Sequence, residues 1–308
     1  MKAIVATQYG PPEVLQLKEV EKPTPKDNEV LIKVHATTVT AADFRMRSFT
    51  VPAPVWIPAR LALGLTKPRQ PVFGSELSGE VEAVGRSVTR FKAGDRVFAS
   101  TLTENFGGYA EYKCMPEDAM MAIKPANITH EEAAALPIGA TTALRLLRKG
   151  DIQRGQKVMI YGASGSVGTY AVQLAKHFGA EVTGVCSRTN MDLVKSLGAD
   201  HVIDYAQEGF GSREERYDRI FDTVAKLPGS LAARFLKPDG VFTSIARLST
   251  KESMESLAAI RELAEAGSIK AFIDRCYPLE QMVEAHRHID TGHKRGNVAI
   301  RVRSENGG

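Results

Sequence analysis

Glycines recur at every third position in the run Gly162-Ala163-Ser164-Gly165-Ser166-Val167-Gly168, a spacing suited to holding a pyrophosphate. Such a group needs main-chain N–H donors at hydrogen-bond distance, which a Cβ would obstruct, and the first turn of a helix adds partial positive charge. Glycine at 162 permits a tight turn, at 165 it admits the phosphate, and at 168 it lets helix and strand pack closely. Ser164, Ser166 and Val167 complete this candidate cradle. A tight turn without a ligand is the competing reading. At the end of the next strand the chain runs Val185-Cys186-Ser187-Arg188-Thr189-Asn190, without the acidic residue that would hydrogen-bond a ribose 2′-hydroxyl and repel a 2′-phosphate. Ser187 is a neutral donor and Arg188 a planar cation matched to phosphate, so NADPH is expected over NADH. A hundredfold preference needs about 2.7 kcal/mol, and a hydrogen bond to a charged group contributes roughly 1.5 to 3 kcal/mol, so one arginine nearly suffices. A solvated surface charge is the alternative role for Arg188.

These residues need a scaffold, and the flanking chain reads as one. From about residue 123, strands alternate with helices: Lys157–Tyr161 then Val167–Phe178, Glu181–Cys186 then Met191–Leu197, His201–Tyr205, Tyr217–Asp222 then a helix near Leu231–Leu236, and Gly240–Ile245. That alternation is how a doubly wound parallel sheet covered on both faces is written. Residues 1–122 instead carry short strands such as Ala3–Ala6, Glu29–Val34 and Arg96–Ala99 between Gly, Pro and Asp turns, with almost no helical periodicity. The chain from about 265 reads strand, helix, strand and reaches Val298–Val302, a return that would complete the first domain. The expected fold class is α/β: a β-rich domain from 1–122 and 265–308, and a Rossmann NADPH-binding domain over 123–264. Pro52, Pro54, Pro58, Pro68 and Pro71 crowd around Trp56, which predicts an irregular surface segment near a cleft, either a flap or a merely decorated loop.

Composition removes several function classes. A net charge of +4 over 308 residues is too small an excess to point to nucleic acid. No run approaches 18 apolar residues, so no membrane partner is expected. The opening Met1-Lys2-Ala3-Ile4-Val5-Ala6 reads as a strand rather than a leader, which points to the cytoplasm. Cys114, Cys186 and Cys276 have no metal-ligand spacing. Each is expected to be a small core hydrophobe in a reducing compartment.

Several runs resemble the medium-chain dehydrogenase/reductase superfamily, in its zinc-independent quinone oxidoreductase branch. They are Met1-Lys2-Ala3-Ile4 with Gly10-Pro11-Pro12-Glu13-Val14-Leu15, the stretch Gly74-Ser75-Glu76-Leu77-Ser78-Gly79-Glu80-Val81, and Phe91-Lys92-Ala93-Gly94-Asp95-Arg96-Val97. Gly107-Gly108-Tyr109-Ala110-Glu111-Tyr112, the glycine cradle and Leu197-Gly198-Ala199-Asp200-His201 complete the set. The resemblance implies a GroES-like catalytic domain made of both termini, a Rossmann domain between them, and a cleft at their junction. It further implies hydride transfer from NADPH to a quinone or an α,β-unsaturated carbonyl, a small-molecule acceptor that is already electrophilic.

The same resemblance sets Thr40 to Arg47 on a segment beside the nicotinamide that in the family reads Asn-Pro-x-Asp-x-Lys/x-x-Arg. Thr40 offers a hydroxyl in place of the amide, Asp43 and Arg47 match, and Arg45 stands where some relatives have lysine. Thr40, Asp43 and Arg45 are therefore the candidate catalytic residues, Arg45 as a stabiliser of oxyanion charge. A buried Asp43–Arg47 pair bracing the loop is an alternative role for that couple. Thr142 matches a family threonine near the nicotinamide ribose and phosphate, with helix packing as its competing role, and Tyr205 a tyrosine near the adenosine 2′-phosphate. Gly292-His293-Lys294-Arg295-Gly296-Asn297 resembles Gly-His-x-x-Gly-Lys, with Asn297 in the place of lysine among the cofactor contacts. Tyr109 is read as a packing aromatic, His293 as a turn histidine and Glu76 as a structural carboxylate. Zinc-dependent relatives carry histidine at the position of Ser75 and a four-cysteine lobe, so no metal site is expected. The family pairs through an edge of the Rossmann sheet, which makes Gly240–Ile245 the candidate seam of a homodimer. An NADPH-binding protein with little turnover and a zinc alcohol dehydrogenase are the competing functions.

Overall fold

The computed structural model describes residues 1–50, 56–248 and 253–303. The chain forms two compact units, one of Met1–Pro137 with the chain from Ile273 onward, the other of Ile138–Phe272. Residues 123–137 thus group with the first unit and 265–272 with the second.

In the first unit, β1 (Lys2–Ala6) pairs antiparallel with β2 (Leu15–Glu19). A larger sheet follows from β3 (Glu29–Thr38), β4 (Glu76–Val84), β5 (Arg96–Ser100), β6 (Tyr112–Pro116) and β7 (Met121–Ile123). Helices α1 (Ala41–Ser48), α2 (Trp56–Leu63) and α3 (His130–Ala134) lie along this stretch. Val30, Ile32 and Val34 alternate along β3 and pack on Leu77, Val81 and Val97, and each such side chain stabilises the fold by roughly 1.5–3 kcal/mol.

In the second unit, α4 (Gly139–Lys149) precedes β8 (Lys157–Tyr161), α5 (Ser166–His177), β9 (Glu181–Cys186), α6 (Met191–Ser196), β10 (His201–Asp204), β11 (Tyr217–Asp222), α7 (Gly229–Phe235), β12 (Leu236–Ser244) and α8 (Met254–Glu265). The strands run in the order β10-β9-β8-β11-β12, parallel throughout. The order reverses between β8 and β11, and crevices for ligands open at the carboxyl ends of strands at such a point. The chain then returns to the first unit as β13 (Ile273–Pro278), α9 (Met282–Asp290) and β14 (Asn297–Arg301), and β14 joins β3. The fold is α/β, a β-rich unit and a unit built on a parallel sheet, as the alternation of strands and helices implies.

Three expectations need correction. Residues 1–122 are not free of helix: α1 and α2 form there without an apolar stripe to announce them. The residues that α1 buries are Asp43 and Arg47, and α2 buries none. The proline-rich segment is accordingly not irregular throughout, since Pro58 falls in the first turn of α2, where its missing N–H costs no hydrogen bond. Pro52 and Pro54 lie outside the described residues. Among the cysteines, Cys186 is buried and Cys114 half-buried, but Cys276 is exposed, because β13 forms the edge of its sheet.

Candidate active site

The cradle residues sit at the carboxyl ends of neighbouring strands of the second unit. Gly162 follows β8 with φ +81°, a left-handed conformation natural to glycine. A Cβ on Gly168 would lie 2.1 Å from the Gly162 carbonyl oxygen, so helix and turn touch backbone to backbone there. Gly165 differs: a Cβ there would meet only the Gly162 oxygen at 3.4 Å and Val224 at 3.9 Å, so the space before it is open. It is the N-cap of α5 and supplies no capping side chain, which leaves first-turn amides such as those of Val167 and Gly168 without a helical acceptor. Together these features suit an anionic diphosphate.

One strand over, Ser187 and the short turn Arg188–Asn190 follow β9. Arg188 and Thr189 are exposed, and Ser187 is half-buried. Asn190, which the sequence reading left unassigned, ties the two loops together: its Nδ2 donates to Ser164 Oγ at 3.1 Å and to Ser187 Oγ at 3.0 Å. Tyr205 follows β10 with its N–H on the Cys186 carbonyl, its ring 6.4 Å from that of Tyr161, and 49% of its surface exposed. Thr223 completes the crevice floor after β11, donating to the carbonyls of Tyr161 and Gly162. Thr142 lies half-buried in the first turns of α4.

The first unit gathers a different set. Thr40 is the N-cap of α1 in a capping box with Asp43. Its Oγ1 lies 2.7 Å from Asp43 Oδ2 and 2.7 Å from Ser75 Oγ, and Ser75 Oγ donates to the same carboxylate oxygen at 2.9 Å. The Thr40 N–H donates to Oδ2 and the Gly74 N–H to Oδ1. Burial raises the Asp43 carboxyl above its ordinary range, against the pull of these donors. The Tyr109 hydroxyl is pushed up strongly by burial and then by the neighbouring Asp43 charge. Glu76 is buried and accepts from Thr38 Oγ1.

The expected Asp43–Arg47 brace is not present. Asp43 turns to the capping amides, whereas Arg47 reaches α9 and binds Asp290 through Nη2 at 2.5 and 2.8 Å. Arg45 lies on the exposed side of α1, away from the buried face that carries Asp43 and Arg47. Asn297 is buried at the start of β14, opposite Ile273. That loop carries two cations: Arg295, paired with Asp274, and Lys294, whose ammonium donates to the Gly296 carbonyl and is lowered by burial to about 8.

Comparison with known proteins assigns both units. Residues 26–125 match the alcohol dehydrogenase GroES-like domain and residues 166–283 the zinc-binding dehydrogenase domain. Quinone oxidoreductase of Sus scrofa is 33% identical over 96% of this chain and 95% of its own. The 2-methylene-furan-3-one reductase of Solanum lycopersicum is 33% identical over 97% of this chain and 79% of its own. The structure of the quinone oxidoreductase from Coxiella burnetii superposes with a TM-score of 0.83 at 27% identity, covering 98% of this chain and 99% of that one. The chain belongs to the medium-chain dehydrogenase/reductase superfamily. Within it, the quinone oxidoreductase branch accounts for the donor set, and the chain is an oxidoreductase.

A zinc-dependent member needs nitrogen and sulfur ligands in tetrahedral array. The position between Gly74 and Glu76 carries a serine hydroxyl, and among the described residues no three His, Cys, Asp or Glu side chains are grouped to hold a metal ion. The residues therefore do not fit catalytic zinc. Nor is any described helix long and apolar enough to cross a membrane. Beside Asn190, sequence reasoning missed the join of Ser75 to Thr40 and Asp43. Only the histidine expected at position 75 in zinc-dependent relatives signalled that residue.

Proposed function

We propose that this chain is an NADPH-dependent reductase of quinones or α,β-unsaturated carbonyls that works without metal. The observation that carries the proposal is the cluster of loops at the carboxyl ends of β8, β9 and β10, where an open glycine turn adjoins Arg188 with no acidic residue between Cys186 and Asn190. In this reading the amides of Gly165 to Gly168 and the Ser164 and Ser166 side chains hold the pyrophosphate. Ser187, Arg188 and Tyr205 hold the 2′-phosphate, and Thr142 and Asn297 add contacts toward the nicotinamide end. Reduced nicotinamide, when bound, supplies the hydride.

The protein's own chemistry then lies in the Thr40–Ser75 pair. Hydride addition to an enone or quinone builds negative charge on an oxygen, and the Thr40 hydroxyl, whose single proton rests on Asp43 Oδ2, would stabilise that charge by rotating the proton outward while Ser75 stays on the carboxylate. Thr40, half-buried where Ser75 is fully buried, is the member that meets the acceptor. We further propose that the enzyme acts in the cytoplasm as a homodimer joined at β12, one of the two edge strands of its sheet.

Stopped-flow oxidation of NADPH against quinones, enals and 2-enoyl thioesters tests this reading. We expect acceptor-dependent oxidation with at least one of these classes and tighter calorimetric binding of NADPH than of NADH. Retention of NADPH with no oxidation by any acceptor would overturn it.

A further inference from the structure

Helix α2 is amphipathic inside out. Its cation is the part held against neighbouring rings: the Arg60 guanidinium carbon lies 3.9 Å from the ring centre of Phe49, 4.5 Å from that of Tyr9 and 5.1 Å from that of Trp56. Arg60 Nη1 donates to the Leu65 carbonyl at 2.8 Å. The Tyr9 hydroxyl and the Arg69 N–H both donate to the Leu63 carbonyl, which fixes the end of the helix. Arg60 is thereby half-buried, and the apolar side chains are left outside. Trp56, Ile57, Leu61 and Leu65 are exposed, Ile57 and Leu65 to 67% each. Ile57 and Leu61 stand four apart and so share one face of the helix, with Leu65 just past its end. These four are half of the eight large hydrophobics exposed among the described residues, gathered within ten consecutive positions.

Apolar side chains gathered in water mark a place where something docks, and the charge around them says what. Between Asp43 and Glu76 the sequence holds Arg45, Arg47, Arg60, Lys67 and Arg69 and no Asp or Glu. The whole chain carries a net charge of only +4, so the basic excess resides in this stretch and the remainder is close to neutral. Arg47 is committed to Asp290 and Arg60 to the aromatic rings. Arg45, Lys67 and Arg69 are exposed, and none of them pairs with a carboxylate among the described residues.

Solvent-facing Trp, Ile and Leu beside unpaired basic groups suit a segment that lies in a lipid–water interface. The apolar side chains enter the acyl boundary, tryptophan settles at headgroup level, and Lys and Arg meet anionic headgroups. Because α2 buries no residue, it forms a ridge rather than a groove, and a ridge fits a fluid bilayer without any matching shape. We propose that α2 and the turn after it are an interfacial anchor that lays the first unit on the surface of an anionic bilayer. The lack of a long apolar helix bears on crossing a bilayer, not on lying against one. The proposal goes beyond the reading as a reductase and does not depend on it.

Trp56 is the single tryptophan, so its fluorescence reports on the anchor alone, with neither coenzyme nor acceptor present. With vesicles of phosphatidylglycerol and phosphatidylcholine in equal parts, its emission should move to the blue and the protein should sediment with the lipid. Phosphatidylcholine alone should bind about a hundredfold more weakly, and Lys67→Gln with Arg69→Gln should weaken binding to the mixed vesicles about 25-fold, about fivefold for each basic group. Leu61→Gln with Leu65→Gln should weaken it at least about tenfold, while the urea midpoint stays that of the parent, since these side chains face solvent. No change in Trp56 emission and no sedimentation with the mixed vesicles overturns the proposal. Equal binding to phosphatidylcholine alone, or undiminished binding by the leucine variant, overturns it as well. If ultracentrifugation shows instead that the leucine variant dissociates a parent dimer, this face belongs to a second copy of the chain and the proposal falls.

Discussion

The two candidate regions of this molecule are built on opposite principles. The glycine turn of the second unit is backbone, open at Gly165, and made by seven consecutive residues. The Asp43 network of the first unit is mostly side chain and joins Thr40 to Ser75, and a separate buried chain runs from Arg47 through His286 to Tyr109. A backbone site tolerates no added atom where it packs, yet asks little of side-chain identity. A buried side-chain site depends on each donor finding its acceptor, since an unpaired polar group there costs about 1–3 kcal/mol. Substitutions in the first region should therefore act through space filling, and in the second through proton bookkeeping.

The largest effect should come at Gly168, where a side chain would collide with the Gly162 carbonyl. Gly168→Val is expected to lower the unfolding free energy by about 3 kcal/mol or more, measured by denaturant titration. A stable variant would show that the turn yields and that the contrast is overdrawn. Next is Arg188→Glu, which should erase a coenzyme preference of about hundredfold, roughly 2.7 kcal/mol. The ratio of NADPH to NADH kcat/KM reads it, and an unchanged ratio would return Arg188 to solvent.

Gly165→Ala separates folding from binding within the same turn. Because the space before it is open, unfolding should shift by less than about 0.5 kcal/mol, while NADPH affinity falls about tenfold by calorimetry, close to 1.4 kcal/mol. Equal losses at Gly165 and Gly168 would mean that the cradle only packs.

The last effect belongs to the buried chain at His286 and is a slope. His286 is held near 3 by burial and the Arg47 charge, against an unfolded value near 6.5. Between those values the unfolded chain binds the extra proton, so stability falls as the pH drops below about 6.5, by at most about 1.4 kcal/mol per unit for this one group. Urea unfolding from pH 7 to 4 should show a shallower decline in His286→Gln than in the parent. An identical slope would mean that the ring is not held neutral.

The Rossmann unit was legible because its determinants are local. The strand-helix alternation, the glycine spacing and the missing acid after β9 each lie within a few residues of one another. The first unit was legible only in outline. Helix α1 escaped because it is fixed by the Thr40 capping box and buries charge rather than an apolar stripe. The Asp43–Arg47 pair was suggested by the match to the family segment, yet the two side chains part, one toward its own helix N-terminus and the other toward Asp290 on α9. Tyr109 read as packing because a sequence cannot say that His286 lies beyond its hydroxyl.

The sequence by itself determined the layered α/β plan, the pyrophosphate-type turn and the hydroxyl at position 75 in place of a metal-ligating imidazole. Short-range geometry suffices for these, since a glycine's allowed φ or a side chain's donor chemistry travels with the residue. Only the tertiary structure decided which carboxylate those hydroxyls serve, where Arg47 spends its charge and which nitrogen of His286 bears the proton. A buried hydrogen bond is settled by what the fold brings to within about 3 Å, and that distance joins residues hundreds of positions apart.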